Sequence, residues 1–314
     1  MPVVEPPSFG PERGRRRVVA VGLVELETVG ESVRVVRLAR PDRLNALSID
    51  LAVELDEVLA AVGADNDARV VVLTGAGRAF CSGLDLKDYG VIPNIEGLSI
   101  HRIASRSMRI YSQLTRRLRA IPQPVIAAVN GPAYGGGMCL TLGCDLRIAS
   151  EAAMFNATGI VNGLTSTEMG AGWLLPRLIG SANSNDLLLT GRRIDAAEAL
   201  RIGLVSRVVP GTELLGEALS MAEAMSAYSH HGLEATKQAL WAELEIASLD
   251  AAIEFEDRNQ LMAGFTDNLP EAIRAFDEGR DPVFFDDVRR DLFGVPATDE
   301  PAEDLSDGDE PEPA

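Results

Sequence analysis

The chain has 314 residues, 29 basic and 47 acidic, and therefore a formal charge of −18. This acidic balance argues against general affinity for nucleic acid or for an anionic membrane surface. The length is sufficient for a full core without metals or disulfides, and its three cysteines leave an odd thiol, so a secreted disulfide framework is not expected.

Both ends of the chain have compositions that disfavour folding. Residues 1–17 are rich in Pro, Gly and Arg, and residues 299–314 hold eight acidic groups and no basic one. We predict disorder over 1–17 and over an acidic tail at 295–314, because neither can bury enough apolar surface. The apolar run 18–23 follows three arginines like a weak signal peptide, but it lacks a cleavage pattern. No apolar run approaches the ~20 residues of a membrane span, so we expect a cytoplasmic protein without a membrane partner.

Strands and helices alternate in the body of the chain, residues 18–195. The strands predicted from β-branched runs are Val33–Leu38, Val70–Leu73, Val125–Val129 and Leu146–Ile148. Leu47–Val62 carries apolar residues at helical spacing, with Asn45 or Ser48 as its cap. This alternation predicts an α/β core.

The pattern becomes helical from residue 196 to residue 294, after a last short apolar run at Val205–Val209. Its clearest predicted helices are Leu233–Ala263 and Pro270–Glu278. The sequence thus predicts an α/β core followed by a helical region that packs elsewhere, for example on another subunit.

Several common chemistries lack their sequence motifs. The chain has no GxxxxGK[ST] loop and no GxSxG elbow. Thr74–Gly77 begins like a dinucleotide fingerprint but lacks the third glycine. The histidines and cysteines show no metal-ligand spacing. We therefore expect neither a metal nor a cofactor.

Two glycine turns each follow a predicted strand. The first is Gly77–Lys87; the second is Asn130–Met138, which leads into a predicted helix at Met138–Leu142. The second turn contains Gly135–Gly137, although each glycine inside a helix costs about 1 kcal/mol relative to alanine. The first N–H groups of a helix are unpaired and lie at the positive end of its dipole. Such donors can hold a carbonyl oxygen that becomes negative during a reaction; close packing of strand on helix is the alternative.

These turns resemble those of the enoyl-CoA hydratase/isomerase (crotonase) family, and the resemblance extends over residues 24–284. Further matching segments are 40–47 (RPDRLNAL), 121–127 (IPQPVIA), 144–145 (CD), 189–192 (LTGR), 203–205 (GLV) and 275–276 (AF). The resemblance implies an α/β fold, a crotonase-like ββα spiral core with a helical C-terminal trimerisation region. It also implies an enzyme of fatty-acid or related acyl-CoA metabolism that acts on acyl-CoA thioesters through an enolate. The expected assembly is a homotrimer or a hexamer.

The matching motifs also carry over candidate site residues. The two enolate donors would be the backbone N–H groups of Leu84 and Gly136. The substrate-binding positions would be Arg43, Ser82, Lys87 and Gly135. For Arg43 and Lys87, a solvated surface charge is an equally good interpretation.

Two aspartates also match the family. We expect Asp85 to brace the first turn and Asp145 to be a structural hydrogen-bonding group.

The sequence departs from typical hydratases, which carry two glutamates that activate water. The matching positions hold Cys139 and Gly159, or Ile160 if an insertion is placed early. We expect Cys139 to be inert packing.

One carboxylate, Glu168, matches an acidic residue of some isomerases and dehalogenases of the family, and a single carboxylate can move a proton between carbons. It also fits a helix capping box with Thr165, and the two roles are compatible. The sequence therefore favours isomerase-type proton transfer over efficient hydration. The alternative is a catalytically degraded acyl-CoA-binding protein; RNA binding is disfavoured by the net charge.

Residues 97–119 contain six arginines and no acidic residue, in a helical pattern. This basic face could attract the anionic CoA, pair with an acidic neighbouring subunit, or be simply solvated.

Overall fold

The structure, a computed structural model, describes residues 17–284, with side chains from residue 22 onward. These residues belong to two compact units, one ending at Asn259 and one beginning at Gln260. The segments expected to be disordered lie outside the described residues, except for Arg17, which begins the first strand. The domain boundary expected at residue 195 stays a prediction. No helix in residues 17–284 is long and apolar enough to span a membrane.

Strands and helices alternate along the first unit. The strands are β1 (Arg17–Val21), β2 (Val24–Val29), β3 (Val33–Leu38), β4 (Val70–Gly75), β5 (Val125–Val129), β6 (Ala133–Tyr134), β7 (Leu146–Ser150), β8 (Met154–Asn156), β9 (Ile194–Asp195) and β10 (Arg207–Val209). The helices are α1 (Ile49–Gly63), α2 (Ile100–Ala120), α3 (Gly136–Gly143), α4 (Ala171–Thr190), α5 (Ala196–Arg201), α6 (Leu214–Ser226), α7 (His230–Glu243) and α8 (Leu249–Gly264), which runs into the second unit; α9 (Asn268–Glu278) lies within that unit.

The main sheet of the described chain has seven strands in the order β1-β2-β3-β4-β5-β7-β10. Its first three strands form an antiparallel meander, and the pairs from β3 onward are parallel. A smaller sheet joins β6, β8 and β9. Because β4 and β5 are parallel neighbours, the turns that follow them leave from the same edge of the main sheet.

Both faces of the main sheet are buried. Along β4, Val71 and Leu73 pack into the cluster that includes α1, α2 and α3, whereas Val70 and Val72 pack into the cluster that includes α6. Parallel strands covered on both faces have continuous apolar sequences. This is why the VVVL run could be identified as a strand from sequence alone.

The structure confirms one of the two predicted caps of α1 and corrects the bounds of a later helix. Ser48 is the cap of α1, since its Oγ accepts the N–H of Leu51 at 3.2 Å, whereas Asn45 has another role. The helix predicted over Leu233–Ala263 is wrong as one element, because α7 ends at Glu243 and α8 begins at Leu249.

Asp145, in the loop between α3 and β7, joins β5 to α7, as expected of a structural group. Its carboxylate accepts the N–H of Val125 at 2.7 Å and the indole N–H of Trp241 at 2.6 Å, and it pairs with Lys237 at 3.0 Å. Lys237 is buried, and its Nζ also donates to the carbonyls of Leu118 and Gln123, each at 2.8 Å. Burial lowers the pKa of Lys237, and the attraction of the Asp145 carboxylate offsets part of this decrease.

Replacing Lys237 with methionine should lower the free energy of unfolding by about 3 kcal/mol, because it leaves a largely buried carboxylate and two carbonyls without their cation. Urea denaturation followed by circular dichroism measures this. The chain's other lysine, Lys87, is exposed, and Lys87→Met is expected to change the free energy by no more than about 0.5 kcal/mol. Equal stability of the two variants would contradict the role assigned to Lys237.

The arginine-rich segment forms α2. Arg117 pairs with Asp56 at 2.8 Å, and Arg119 lies over the ring of Trp241, 4.3 Å from its centroid. Arg102, Arg109 and Arg116 follow one another at intervals of seven residues and are exposed. Within the described residues none of the three is in an ion pair, and the roles considered for this basic face stay predictions.

Candidate active site

The two glycine turns meet side by side. The first turn follows β4 and the second follows β5. Phe80 and Cys81 both donate their N–H groups to the carbonyl of Pro132 at 3.1 Å, and Tyr134 returns a hydrogen bond to the carbonyl of Cys81 at 2.9 Å. Backbone hydrogen bonds therefore hold the two turns at a fixed separation.

Glycine is required where the turns touch. Gly83 has a φ of +89°, and a Cβ on it would lie 2.7 Å from the carbonyl oxygen of Tyr134. A Cβ on Gly137 would stand well under 3.0 Å from the carbonyl oxygen of Cys81. Real Cβ atoms do not approach backbone oxygen so closely, and so the contact excludes any side chain at these positions.

The N–H groups of Leu84 and Gly136 are both unused within the described chain. On either side of Leu84, the carbonyl of Gly83 accepts from Leu47 at 2.7 Å and Asp85 donates to the carbonyl of Leu47 at 2.9 Å. Gly136 is the first residue of α3, after Gly135, which donates to the carbonyl of Asn156 at 2.8 Å. Two backbone donors are thus available on adjoining turns, one of them at the positive end of a helix.

The side chain of Glu168 lies beside the second glycine turn, although Glu168 comes from a later part of the chain. Its Oε1 lies 3.5 Å from the point that a Cβ on Gly135 would occupy. Within residues 22–284 its carboxylate makes no hydrogen bond or ion pair, and burial raises its pKa. An unpaired carboxylate of raised pKa is a better proton acceptor than an ordinary glutamate and can act as a general base.

The capping-box interpretation of Glu168 is wrong. Helix α4 begins at Ala171 behind Gly170, whose φ of 90° is left-handed, and Glu168 lies before the helix. Only its carbonyl contributes there, accepting the N–H of Ala171 at 2.8 Å. The carboxylate is therefore not engaged at a helix terminus.

Glu168 should make the protein's stability depend on pH. Because burial raises its pKa in the folded state, the free energy of unfolding falls as pH rises from below the ordinary glutamate pKa through the raised one. The Glu168→Gln variant has no carboxyl group to ionise at this position, so its free energy of unfolding should not fall in this way. We expect its urea midpoint to exceed that of the wild type at pH 8 and the difference to shrink at pH 4. Equal midpoints at pH 8 would show that the folded protein does not disfavour the charged form.

The positions that the sequence resemblance matched to a pair of glutamates, Cys139 and Gly159 or Ile160, hold no carboxylate. Cys139 is buried, and its thiol donates to the carbonyl of Glu168 at 3.5 Å. Burial, with the nearby Glu168 carboxylate, raises the pKa of Cys139 well above its ordinary value. A Cβ on Gly159 would stand well under 3.0 Å from the carbonyl oxygen of Thr165, so this loop admits no side chain there. Ile160, the other possible match, is 43% exposed.

Asp85 braces the first turn as expected. Its buried carboxylate pairs with Arg43 at 2.6 Å and Arg40 at 3.2 Å, and it accepts the N–H groups of Lys87 and Asp88, both at 3.0 Å. Burial alone would raise the pKa of Asp85, but the hydrogen bonds from Arg43, Lys87 and Asp88 together lower it. Asp85 is thus an anion whose ion pairs and hydrogen bonds stabilise the turn that carries Leu84.

The substrate-binding candidates are placed differently from one another. Gly135 lies in the second turn, next to Gly83 of the first turn and close to the Glu168 carboxylate. Ser82 lies in the first turn, where its N–H donates to the carbonyl of Leu44 at 3.0 Å. The side chain of Arg43 donates a hydrogen bond to Asp85, and the side chain of Lys87 is exposed.

Two asparagines, one buried and one half-buried, support the turns, and this role was not identified from sequence. The Nδ2 of Asn45 donates to the carbonyls of Ala76 and Ala79, at 2.9 and 2.8 Å. The Nδ2 of Asn130 donates to the carbonyls of Gly77 and Ala79, at 3.0 and 3.2 Å. The available signal was an asparagine where the chain leaves a strand or approaches a helix, which is too common to be specific.

The chain is similar to a known sequence family and to several proteins of known sequence or structure. A sequence model described as enoyl-CoA hydratase/isomerase matches residues 28–287. A Mycobacterium bovis protein named "Probable enoyl-CoA hydratase echA12" is 48% identical over 284 residues, which cover 88% of this chain and 100% of that protein.

Two further matches differ in their stated activities. The 1,2-epoxyphenylacetyl-CoA isomerase of Escherichia coli K12 is 36% identical over 263 residues, covering 82% of this chain and 97% of that protein. A solved structure described as a probable enoyl-CoA hydratase/isomerase from Mycobacterium abscessus is 44% identical, with a TM-score of 0.80, and the match covers 84% of this chain and 98% of that one.

Proposed function

Because the chain belongs to the enoyl-CoA hydratase/isomerase family, whose members act on acyl-CoA thioesters, we propose that it moves a proton between carbons of an enoyl-CoA rather than adding water to it. One observation carries this proposal: an unpaired carboxylate, Glu168, lies beside Gly135 in the turn that carries the unused N–H group of Gly136. Cys139 and Gly159 supply no second carboxylate to activate water.

In the proposed reaction the thioester oxygen lies between the N–H groups of Leu84 and Gly136. The carboxylate of Glu168 removes a proton from Cα, and the electron pair of that C–H bond enters the enolate. The two donors stabilise the negative oxygen; removal of one such donor costs about 3–4 kcal/mol in acyl transfer. The carboxyl group then returns its proton to Cγ, so that a double bond between Cβ and Cγ moves to Cα and Cβ.

The test follows trans-3-hexenoyl-CoA and trans-2-hexenoyl-CoA in heavy water by NMR and mass spectrometry. We expect migration of the double bond and deuterium at the exchanging carbons, with 3-hydroxyhexanoyl-CoA formed at least 100-fold more slowly, since water activation lacks its second carboxylate. Hydration faster than migration would overturn the proposal. Measurable binding without exchange or migration would instead favour the degraded acyl-CoA-binding protein.

We also propose that the protein assembles as a homotrimer or a hexamer. Support comes from residues 260–284, which expose large apolar side chains, including Phe265 at 88% and Phe276 at 85%. Several large apolar side chains exposed within one short segment are typical of an interface. Light scattering on the eluting protein measures the mass, and a monomer would contradict the proposal.

A further inference from the structure

A groove of about 520 Å³ lies where the start of α4 meets the connection between α7 and α8. Its lining residues are Trp173, Arg177, Leu244, Glu245, Ile246 and Ala247. The volume is within the range of small-molecule sites. None of these residues belongs to the two glycine turns, and Glu168 is not among them. The groove is therefore distinct from the site proposed above for the thioester.

Two lining residues of the groove, Trp173 and Arg177, belong to a stack of guanidinium and indole groups. The Cζ of Arg177 lies 3.9 Å from the ring centroid of Trp173, and the Cζ of Arg119 lies 5.2 Å from the same centroid. Arg119 also lies over the ring of Trp241, whose indole N–H donates to Asp145. Such cation–π contacts are attractive. Because α2, α4 and α7 each contribute to the stack, this side of the groove is formed before any ligand binds.

The two arginines of the stack differ in their acidic partners. Arg119 pairs with the groove carboxylate of Glu245 at 3.6 Å. Arg177 is exposed, and its Nη1 donates to the carbonyl of Trp173 at 2.9 Å. Within residues 22–284 Arg177 forms no ion pair. The groove thus contains a guanidinium group that no carboxylate neutralises, although the chain as a whole is strongly acidic.

The connection between α7 and α8 supplies an apolar surface beside this guanidinium, formed by Leu244, Ile246 and Ala247. An aliphatic chain can cover these side chains while a carboxylate at its end reaches Arg177, whose planar fork matches carboxylate geometry. A phosphate matches the same fork, but Glu245, whose side chain is 67% exposed, repels its second negative charge. The groove therefore favours a singly charged carboxylate on an apolar body.

We propose that this groove binds an aliphatic carboxylic acid, with the carboxylate on Arg177 and the chain against Leu244 and Ile246. The site is independent of the reaction proposed above, because a free acid carries no thioester. The chain has two tryptophans, Trp173 and Trp241, and both belong to the stack. Tryptophan fluorescence of the whole protein therefore reports on this region alone.

The test titrates octanoate into the full-length protein, followed by isothermal titration calorimetry and tryptophan emission. We expect saturable binding with a change in emission, and at least tenfold weaker binding of octan-1-ol, which lacks the charge, and of inorganic phosphate, which lacks the chain. Arg177→Gln should weaken octanoate binding at least tenfold, whereas Arg102→Gln, at an exposed arginine of α2, should leave it unchanged. No binding of octanoate, equal affinity for octan-1-ol, or wild-type affinity in Arg177→Gln would overturn the proposal.

Competition with hexanoyl-CoA distinguishes the groove from the thioester site. Saturating hexanoyl-CoA should leave the affinity for octanoate within about twofold of its value without the thioester. Displacement of octanoate would assign it to the thioester site and contradict the proposal. Ala247→Phe, which fills part of the groove, should weaken octanoate binding at least tenfold and leave Cα exchange of hexanoyl-CoA within about twofold of the wild-type rate; undiminished octanoate binding in this variant would also reject the groove as the site. A wild type that exchanges no thioester would reject the proposed function and leave the octanoate result unaffected.

Discussion

Glu168→Gln is expected to lower the rate of Cα proton exchange in an acyl-CoA by at least 100-fold, the range that a positioned general base contributes. The glutamine keeps the size of the side chain and its place above Gly135 but cannot accept the proton. CoA binding should stay within about threefold of the wild-type value, because the backbone donors are untouched. Mass spectrometry of the recovered thioester measures the exchange.

The control for this experiment is Glu151→Gln, a change at an exposed glutamate beyond the end of β7. It should exchange at the wild-type rate. The wild-type rate should fall at low pH, where the raised pKa of Glu168 leaves the group protonated. This decrease at low pH should be absent from the pH profile of the Glu168→Gln variant. Full exchange in that variant would remove Glu168 from the mechanism.

Gly137→Ala is expected to cost more than about 4 kcal/mol of unfolding free energy, a size reached only by a few mechanisms such as forced backbone displacement. The added methyl would overlap the carbonyl of Cys81, which itself accepts the N–H of Tyr134. To relieve the overlap the two turns must separate. Protein that still folds should therefore lose exchange activity as Gly136 moves away from Leu84. Urea denaturation and the exchange assay measure the two effects.

The matched control is Gly216→Ala. Gly216 lies inside α6, and a Cβ on it would meet no atom within 4 Å. Alanine there should stabilise the protein by about 0.5–1 kcal/mol, since glycine is unfavourable in a helix interior. If both alanine variants were equally stable, the close contact between the turns would not be a constraint on the fold.

Elements defined by local pattern could be predicted from the sequence, and those defined by remote partners could not. β4 and β5 are continuous apolar runs buried on both faces, so composition alone was sufficient to identify them. β1 and β2 were not predicted, because the apolar run after three arginines resembled a leader. The structure joins them at a tight turn in which Gly22 has a φ of +79°.

The same distinction applies to the site. The two turns carry their own glycine signature, and so they were found. The break between α7 and α8 contains no glycine or proline; the signal was Ser248, whose Oγ accepts the N–H of Ala251 at 3.4 Å. Lys237 was missed because its role depends on Asp145, a residue distant in sequence that only folding brings near.

The pairing of β4 with β5 also has a consequence for how such an enzyme can change over evolutionary time. The two donors are held by hydrogen bonds between the turns, whereas the chain that crosses from one turn to the other is outside that network. Part of this crossing is highly exposed, with Tyr89 at 56% and Val91 at 75%. Insertions and substitutions there can reshape what the protein admits without moving Leu84 or Gly136. One catalytic frame can therefore acquire new substrates while its chemistry is inherited intact.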